Sequence, residues 1–326
     1  MDVFFILLFI LIVVSLRPQK EAEAALLPEN TKPLRGVMAI AIILHHMSEK
    51  TVGGVLFPLL QHMGYLIVAV FFFLSGYGLL VAYKKKGTSY LKGFWKKRIL
   101  YIFIVFVWIS MVYAVYHIIV GNFKFSLTIA ANSWYMVIQI LLYVFFWLAF
   151  KLTGSRSRLL SIGCVFIFQT ALVFVLKANG YEGIWYMSNY AFIAGLLWAN
   201  YNESINQLIN KKYWLCAGTI TVGFALFSAI PLMLESTYLP CRMISTVFFC
   251  GMVVLILCKV KITGIVWNWL GDISLEIYLL HGLVYMSLKW FITSEILWTA
   301  LTVALTIPIA YGAKLLNVKL RGVLYE

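Results

Sequence analysis

The chain has 326 residues, of which 63% are hydrophobic and only 12% charged, and its mean hydropathy is +0.93. These values lie outside the range of soluble globular domains and disordered chains and identify a polytopic membrane protein. The formal net charge of +14 is accounted for by membrane orientation and anionic lipid headgroups, so no nucleic-acid partner is expected.

Eleven apolar stretches follow one another, near residues 3–16, 34–48, 64–83, 98–120, 134–152, 158–177, 187–201, 213–233, 242–260, 273–291 and 296–313. Lipid offers no water to satisfy a loose backbone, so each is expected to be a helix, in an all-α polytopic membrane protein without a soluble domain. A straight span needs roughly 20 residues. The second and seventh stretches fall short, and are expected to be tilted, locally thinned or partly buried in protein. The first, "DVFFILLFILIVVSL", lacks the basic start of a signal peptide, and the following "EAEAALLPEN" is a vague cleavage site. It reads as an uncleaved helix, dividing the chain into residues 1–29 (N-terminal helix and linker) and 30–326 (membrane domain).

Loops rich in Lys and Arg stay in the cytoplasm. Taking alternate connections (17–35, 84–98, 151–158, 202–212, 259–261 and 314–321) as cytoplasmic gathers 21 of the 26 cations there, leaving only Lys50, Lys124, Lys177, Arg242 and Lys289. This predicts a multi-pass protein of the cytoplasmic membrane with an external N terminus and a cytoplasmic C terminus. Cys164, Cys216, Cys241, Cys250 and Cys258 form no CxxC pair and mostly lie in apolar spans, so neither a disulfide framework nor a metal site is expected.

The second stretch, "LRGVMAIAIILHHMSEK", carries the most unusual polar residues. Arg35 and His46 are eleven positions apart; at about 100° per residue they differ by only about 20° around a helix and share one face about 16 Å long. His45 points about 80° away. Glu49 follows His46 by three residues, within reach of a pair that would fix the imidazole tautomer and raise its basicity. Ionisable groups at membrane depth are costly and usually face a cavity, although a histidine bonded to a neighbouring carbonyl is also a common packing device.

Further along, "FFFLSGYGLL" (71–80) places Gly76, Gly78 and Ser75 where helix backbones could approach closely. "KKKGTSYLKGFWKKR" (84–98) sets seven cations beside Tyr90 and Trp95, suited to lipid phosphate and to a polyanionic cofactor arriving from the cytoplasm. In "SWYMVIQ" (133–139), Trp134 and Tyr135 fit an interfacial aromatic belt, whereas Gln139 requires a partner. In "WLGDISLEIYLLHGLV" (269–284), Ser274, Tyr278 and His281 line one helix face and Glu276 another. That spacing also suits an interhelical hydrogen-bond face.

In combination, "LRGVMAIAIILHHM" resembles the opening of the membrane-bound acyltransferase-3 family, whose first core helix carries an arginine, ten residues and a histidine. "FFFLSGYGLL", "FWKKRILYIF", "SWYMVIQIL", "YAFIAGLLW" and "LGDISLEIYLLHGLV" resemble that family's later landmarks in order, from about residue 30 to 316. The resemblance implies a ten-helix core, here with one extra N-terminal helix. It implies transfer of an acyl group, usually acetyl, from cytoplasmic coenzyme A to a hydroxyl of an envelope glycan, a lipid-linked sugar or a related acceptor. By position Arg35 and His46 match the family's essential pair and Arg98 one of its basic positions; Tyr101 stands where many members have a further arginine, and Gln139 where glutamate is common.

Acyl transfer to an alcohol needs a base for the hydroxyl proton, a task suited to histidine. The catalytic set is therefore His46, with Glu49 orienting it, and Arg35. No serine or cysteine nucleophile is evident, which favours direct transfer. The donor acetyl-CoA is expected on Arg35, Arg98 and Lys97, the acceptor on Trp134, Tyr135, Gln139 and His281, and no metal. A small-molecule or precursor transporter is one rival class, and a non-catalytic membrane scaffold, in which Arg35 and His46 could be neutralised at no functional cost, is another. Transporters often show two repeated halves, whereas the Arg35–His46 helix has no counterpart in the second half. Any esterase-like partner is expected to be a separate protein.

Overall fold

The computed structural model describes residues 1–121, 134–154, 157–233 and 239–325; Lys124, Ser133 and Arg156, which entered the readings above, lie outside them. Among the described residues the chain is helical almost throughout: α1 (Asp2–Ser15), α2 (Pro28–Ser48), α3 (Gly64–Lys86), α4 (Tyr101–Ile119), α5 (Trp134–Thr153) and α6 (Arg158–Ala178). Then follow α7 (Tyr190–Asn200), α8 (Asn202–Met233), α9 (Leu239–Leu257), α10 (Ile265–Asp272), α11 (Ser274–Lys289) and α12 (Glu295–Tyr325). Among the described residues seven helices (α3, the segment 95–119 containing α4, α5, α6, α8, α9 and α12) are long and apolar enough to cross a membrane.

The remaining members of the eleven differ for physical reasons. Helix α2 starts at Pro28, ahead of the apolar run, because proline is well suited to a first helical turn, where its missing N–H has no partner to lose. The expected division after residue 29 thus falls inside the first turn of α2. Most of α2 is buried in protein, which explains how it tolerates a polar face. Helix α7 has only 11 residues and packs along α3, where the two backbones approach at Gly76 and Gly195. A Cβ on Gly76 would strike the carbonyl oxygen of Phe192, and one on Gly195 that of Phe73. Gly78 makes no such contact. Helix α8 breaks at Lys212 (φ −137°, ψ 43°), separating a polar first section from its apolar span.

Two features have no counterpart in hydropathy. Strand β1 (Leu16–Pro18) pairs antiparallel with β2 (Val260–Ile262), tying the connection after α1 to the one before α10. Ahead of α4, Trp95–Leu100 forms a π-helical turn. The bundle has two distinct ends: a basic end bearing residues 84–98, and a histidine end bearing His46, the 49–63 connection and the start of α1.

Glu276, fully buried on α11, explains one polar position of the sequence. Its Oε1 accepts from Asn317 Nδ2 at 2.8 Å and lies 3.6 Å from Lys314 Nζ, while Asn317 Oδ1 accepts from Trp108 Nε1 at 2.8 Å. One amide thus satisfies groups on two other helices. Replacing it in Asn317→Leu leaves a buried carboxylate and a half-buried indole N–H short of partners, at a cost of about 3 kcal/mol. The thermal midpoint in detergent is expected to fall by several degrees; an unchanged midpoint removes this network from the supports of the fold.

Candidate functional site

Helix α2 delivers Arg35 and His46 to two cavities, the first bordered by residues of the basic end and the second by residues of the histidine end. The inner cavity, of about 560 Å³, is lined by Thr31 and Arg35 of α2, Ser75 and Lys85 of α3, Arg98, Tyr135 and Tyr143 of α5, and Ser274 and Tyr278 of α11. Arg35 is half-buried there, and its Nε–H is buried with no hydrogen-bond partner among the described residues. Guanidinium N–H groups are strong donors, so this one calls for an acceptor brought by a ligand.

The outer pocket, of about 180 Å³, is lined by His45, His46, Glu49, Gln61, Tyr65, Trp134, Arg242 and Tyr278, among others. Tyr278 borders both cavities. Its ring centroid lies 4.7 Å from that of Tyr135 and 6.0 Å from that of His281.

His46 is held on two sides. Its Nδ1 lies 3.0 Å from Glu49 Oε2; an ionised carboxylate only accepts, so Nδ1 carries a proton, which in the neutral imidazole leaves the lone pair on Nε2. Its ring stacks on His281, with centroids 5.1 Å apart and planes at 21°. Burial works to raise the pKa of Glu49, but the His46 hydrogen bond and the neighbouring positive groups outweigh it and hold the carboxyl below its ordinary value. Glu49 therefore stays ionised, and able to fix the tautomer, to a lower pH than an ordinary glutamate.

His45 turns elsewhere: Nδ1 donates to the Leu60 carbonyl at 2.9 Å, and Nε2 lies 3.6 Å from Glu49 Oε1. The imidazole lies against Gly64, where a Cβ would collide with the ring. His45, His46 and Glu49 bring their ligand atoms within 4.8 Å of one another, so this cluster has the donor types for a divalent ion, which the cysteine pattern alone did not suggest.

The other expected residues are distributed between the two cavities or behind them. Trp134 lines the outer pocket and Tyr135 the inner one. Gln139 is buried behind the inner cavity, where Oε1 accepts from Ser75 Oγ and Tyr135 OH, both at 3.3 Å. It orients two cavity hydroxyls without lining the cavity itself. His281 supports His46, with its own Nδ1–H donating to the Ile277 carbonyl at 3.1 Å. Of the basic run, Arg98 and Lys85 border the inner cavity, while Lys97 is exposed and lies outside its lining. Arg242, Gln61 and Tyr143 were not singled out from sequence. For Arg242 a signal existed, since it is one of the five cations off the basic connections.

One helical bundle thus holds a cation-lined cavity and a pocket with a carboxylate-bonded histidine, with Tyr278 bordering both. The acyltransferase-3 profile, described as an acyltransferase domain, matches residues 34–315, and the chain belongs to that family. It is a membrane acyltransferase. No curated protein and no solved structure matches the chain.

Proposed function

We propose that this membrane acyltransferase moves an acyl group, acetyl in the first instance, from acyl-CoA entering at the basic end to a hydroxyl of an envelope glycan or lipid-linked sugar bound at the histidine end. The observation that carries this reading is the pairing of two cavities across Tyr278, with Arg35 in one and His46 in the other. On this reading the basic end and the C terminus are cytoplasmic, in accord with the positive-inside distribution.

Arg35, Arg98 and Lys85 hold the phosphates of the donor, and the thioester reaches toward Tyr278. The acceptor hydroxyl enters the outer pocket among Trp134, Tyr65 and Arg242. Its oxygen attacks the thioester carbonyl, its proton passes to His46 Nε2, and Glu49 stabilises the imidazolium that forms. The carbon–sulfur bond breaks, the coenzyme A thiolate leaves through the inner cavity, and His46 gives up its proton as the thiol forms. Neither a covalent acyl-enzyme nor a metal is required.

The test uses purified protein in nanodiscs with radiolabelled acetyl-CoA and an envelope-glycan extract. Label is expected on a component of the extract, together with released coenzyme A. Absence of both overturns the reading, and uptake of envelope precursor by proteoliposomes in that case makes the chain a transporter.

A further inference from the structure

Helix α1 lies outside the 34–315 match, and none of its residues is buried along its length. Phe4, Phe5, Leu8 and Ile12 pack half-buried against the core along its length, and its polar ties sit at its two ends. At the basic end, Ser15 O accepts from Thr263 N and Thr263 Oγ1, both at 2.9 Å, Ser15 Oγ accepts from Trp267 Nε1 at 2.8 Å, and the β1–β2 ladder follows directly. At the histidine end, Asp2 accepts three successive backbone N–H groups: Val55 on Oδ2, and Leu56 and Phe57 on Oδ1, all at 2.9 Å. Phe4 adds a ring contact to Phe57, with centroids 6.2 Å apart.

The clamped segment runs straight into the outer pocket. Three residues after Phe57, the Leu60 carbonyl receives the His45 imidazole; next to it, Gln61 lines the pocket and donates through Nε2 to Ser48 O at 2.6 Å, at the end of the helix that carries His46. A carboxylate bonded to three consecutive amides fixes the path of a connection far more narrowly than water would, because it replaces independent solvent contacts by one rigid acceptor.

We propose that Asp2 is a positioning residue for acyl transfer: α1 holds its carboxylate on residues 55–57, and this clamp sets Gln61 in the wall of the acceptor pocket and, through the Leu60 carbonyl, the orientation of His45. The inference rests on the reading of the outer pocket as the acceptor site. It does not need Asp2 to touch either substrate. The rival account is that α1 only adds a membrane span, with the three amides equally well served by water.

The experiment compares full-length wild type with Asp2→Asn and Asp2→Ala in nanodiscs. Amide hydrogen exchange is followed at residues 55–61, and steady-state transfer is measured with acetyl-CoA and the envelope-glycan extract varied separately. In Asp2→Ala, exchange at 55–57 is expected to become roughly tenfold faster or more, and the KM for the extract to rise severalfold while the KM for acetyl-CoA stays unchanged. Asp2→Asn, which keeps one acceptor oxygen, is expected to fall between.

Unchanged exchange overturns the clamp. Faster exchange with an unchanged KM for the extract overturns the positioning role, and equal losses for both substrates reduce α1 to a general support of the fold. If wild type transfers no label, the functional reading fails, and exchange alone decides whether Asp2 holds the connection.

Discussion

His46→Ala is expected to lower acyl transfer by about 10²–10⁴-fold, the range associated with loss of a general base. The geometry makes the loss specific to the chemical step. The Nδ1–H of His46 is committed to Glu49 at 3.0 Å and its ring is stacked on His281, which leaves Nε2 as the basic atom of a side chain that lines the outer pocket. Binding of acetyl-CoA should survive, because His46 lines the outer pocket and not the cavity that contains Arg35. Glu49→Gln should cost less: the carboxamide oxygen can still accept from Nδ1, so the tautomer persists, but the charge that stabilises the imidazolium is gone. The measurement is turnover at saturating donor, beside direct binding of labelled acetyl-CoA to each variant. Turnover in His46→Ala within a factor of two of wild type, on this scale, would return the proton transfer to another group.

Much of this site was legible because it lies on one helix. A 3.6-residue period carries Arg35 and His46 to the same side of α2, and a three-residue step carries Glu49 to His46, so the pattern alone gives the stripe and the pair. The same period gives the Ser274–Tyr278–His281 face, whose members reach the inner cavity and the His46 ring. It fails within the basic run. The π-helical turn over Trp95–Leu100 changes the angle per residue, so an α-helical wheel does not tell which cation turns inward, and Lys97 ends outside the cavity that Arg98 and Lys85 border. Contacts between distant segments were also out of reach. The bond from Asp2 to Phe57 spans 55 residues and the β1–β2 pairing joins residues 16–18 to 260–262. Both depend on how helices pack, which hydropathy does not encode. Gln139 falls between these cases: its burial demanded a partner, but that it would hold Ser75 and Tyr135 follows only from the approach of α3 to α5.

Arg35→Lys is expected to weaken acetyl-CoA binding by roughly 10- to 100-fold, with turnover at saturating donor close to wild type. The reason is geometric more than electrostatic. Lysine keeps the positive charge, but it has no N–H at the position of Arg35 Nε, the buried donor that lacks a partner among the described residues, and a point charge cannot reproduce the guanidinium fork on a phosphate. Loss of one hydrogen bond to a charged group is worth about 1.5–3 kcal/mol, which is the stated range of affinity at about 1.4 kcal/mol per tenfold. Lys85 and Arg98 remain at the cavity rim and should keep binding measurable. Acetyl-pantetheine, which presents the same thioester with neither the nucleotide nor its phosphates, separates the two roles open to Arg35. If the guanidinium grips phosphate, the variant should bind this fragment as wild type does and lose affinity only for the full donor. Equal losses for the two ligands would instead assign Arg35 to the shape of the cavity around the thioester, and an unchanged affinity for both would make it a support of α2 within the bundle.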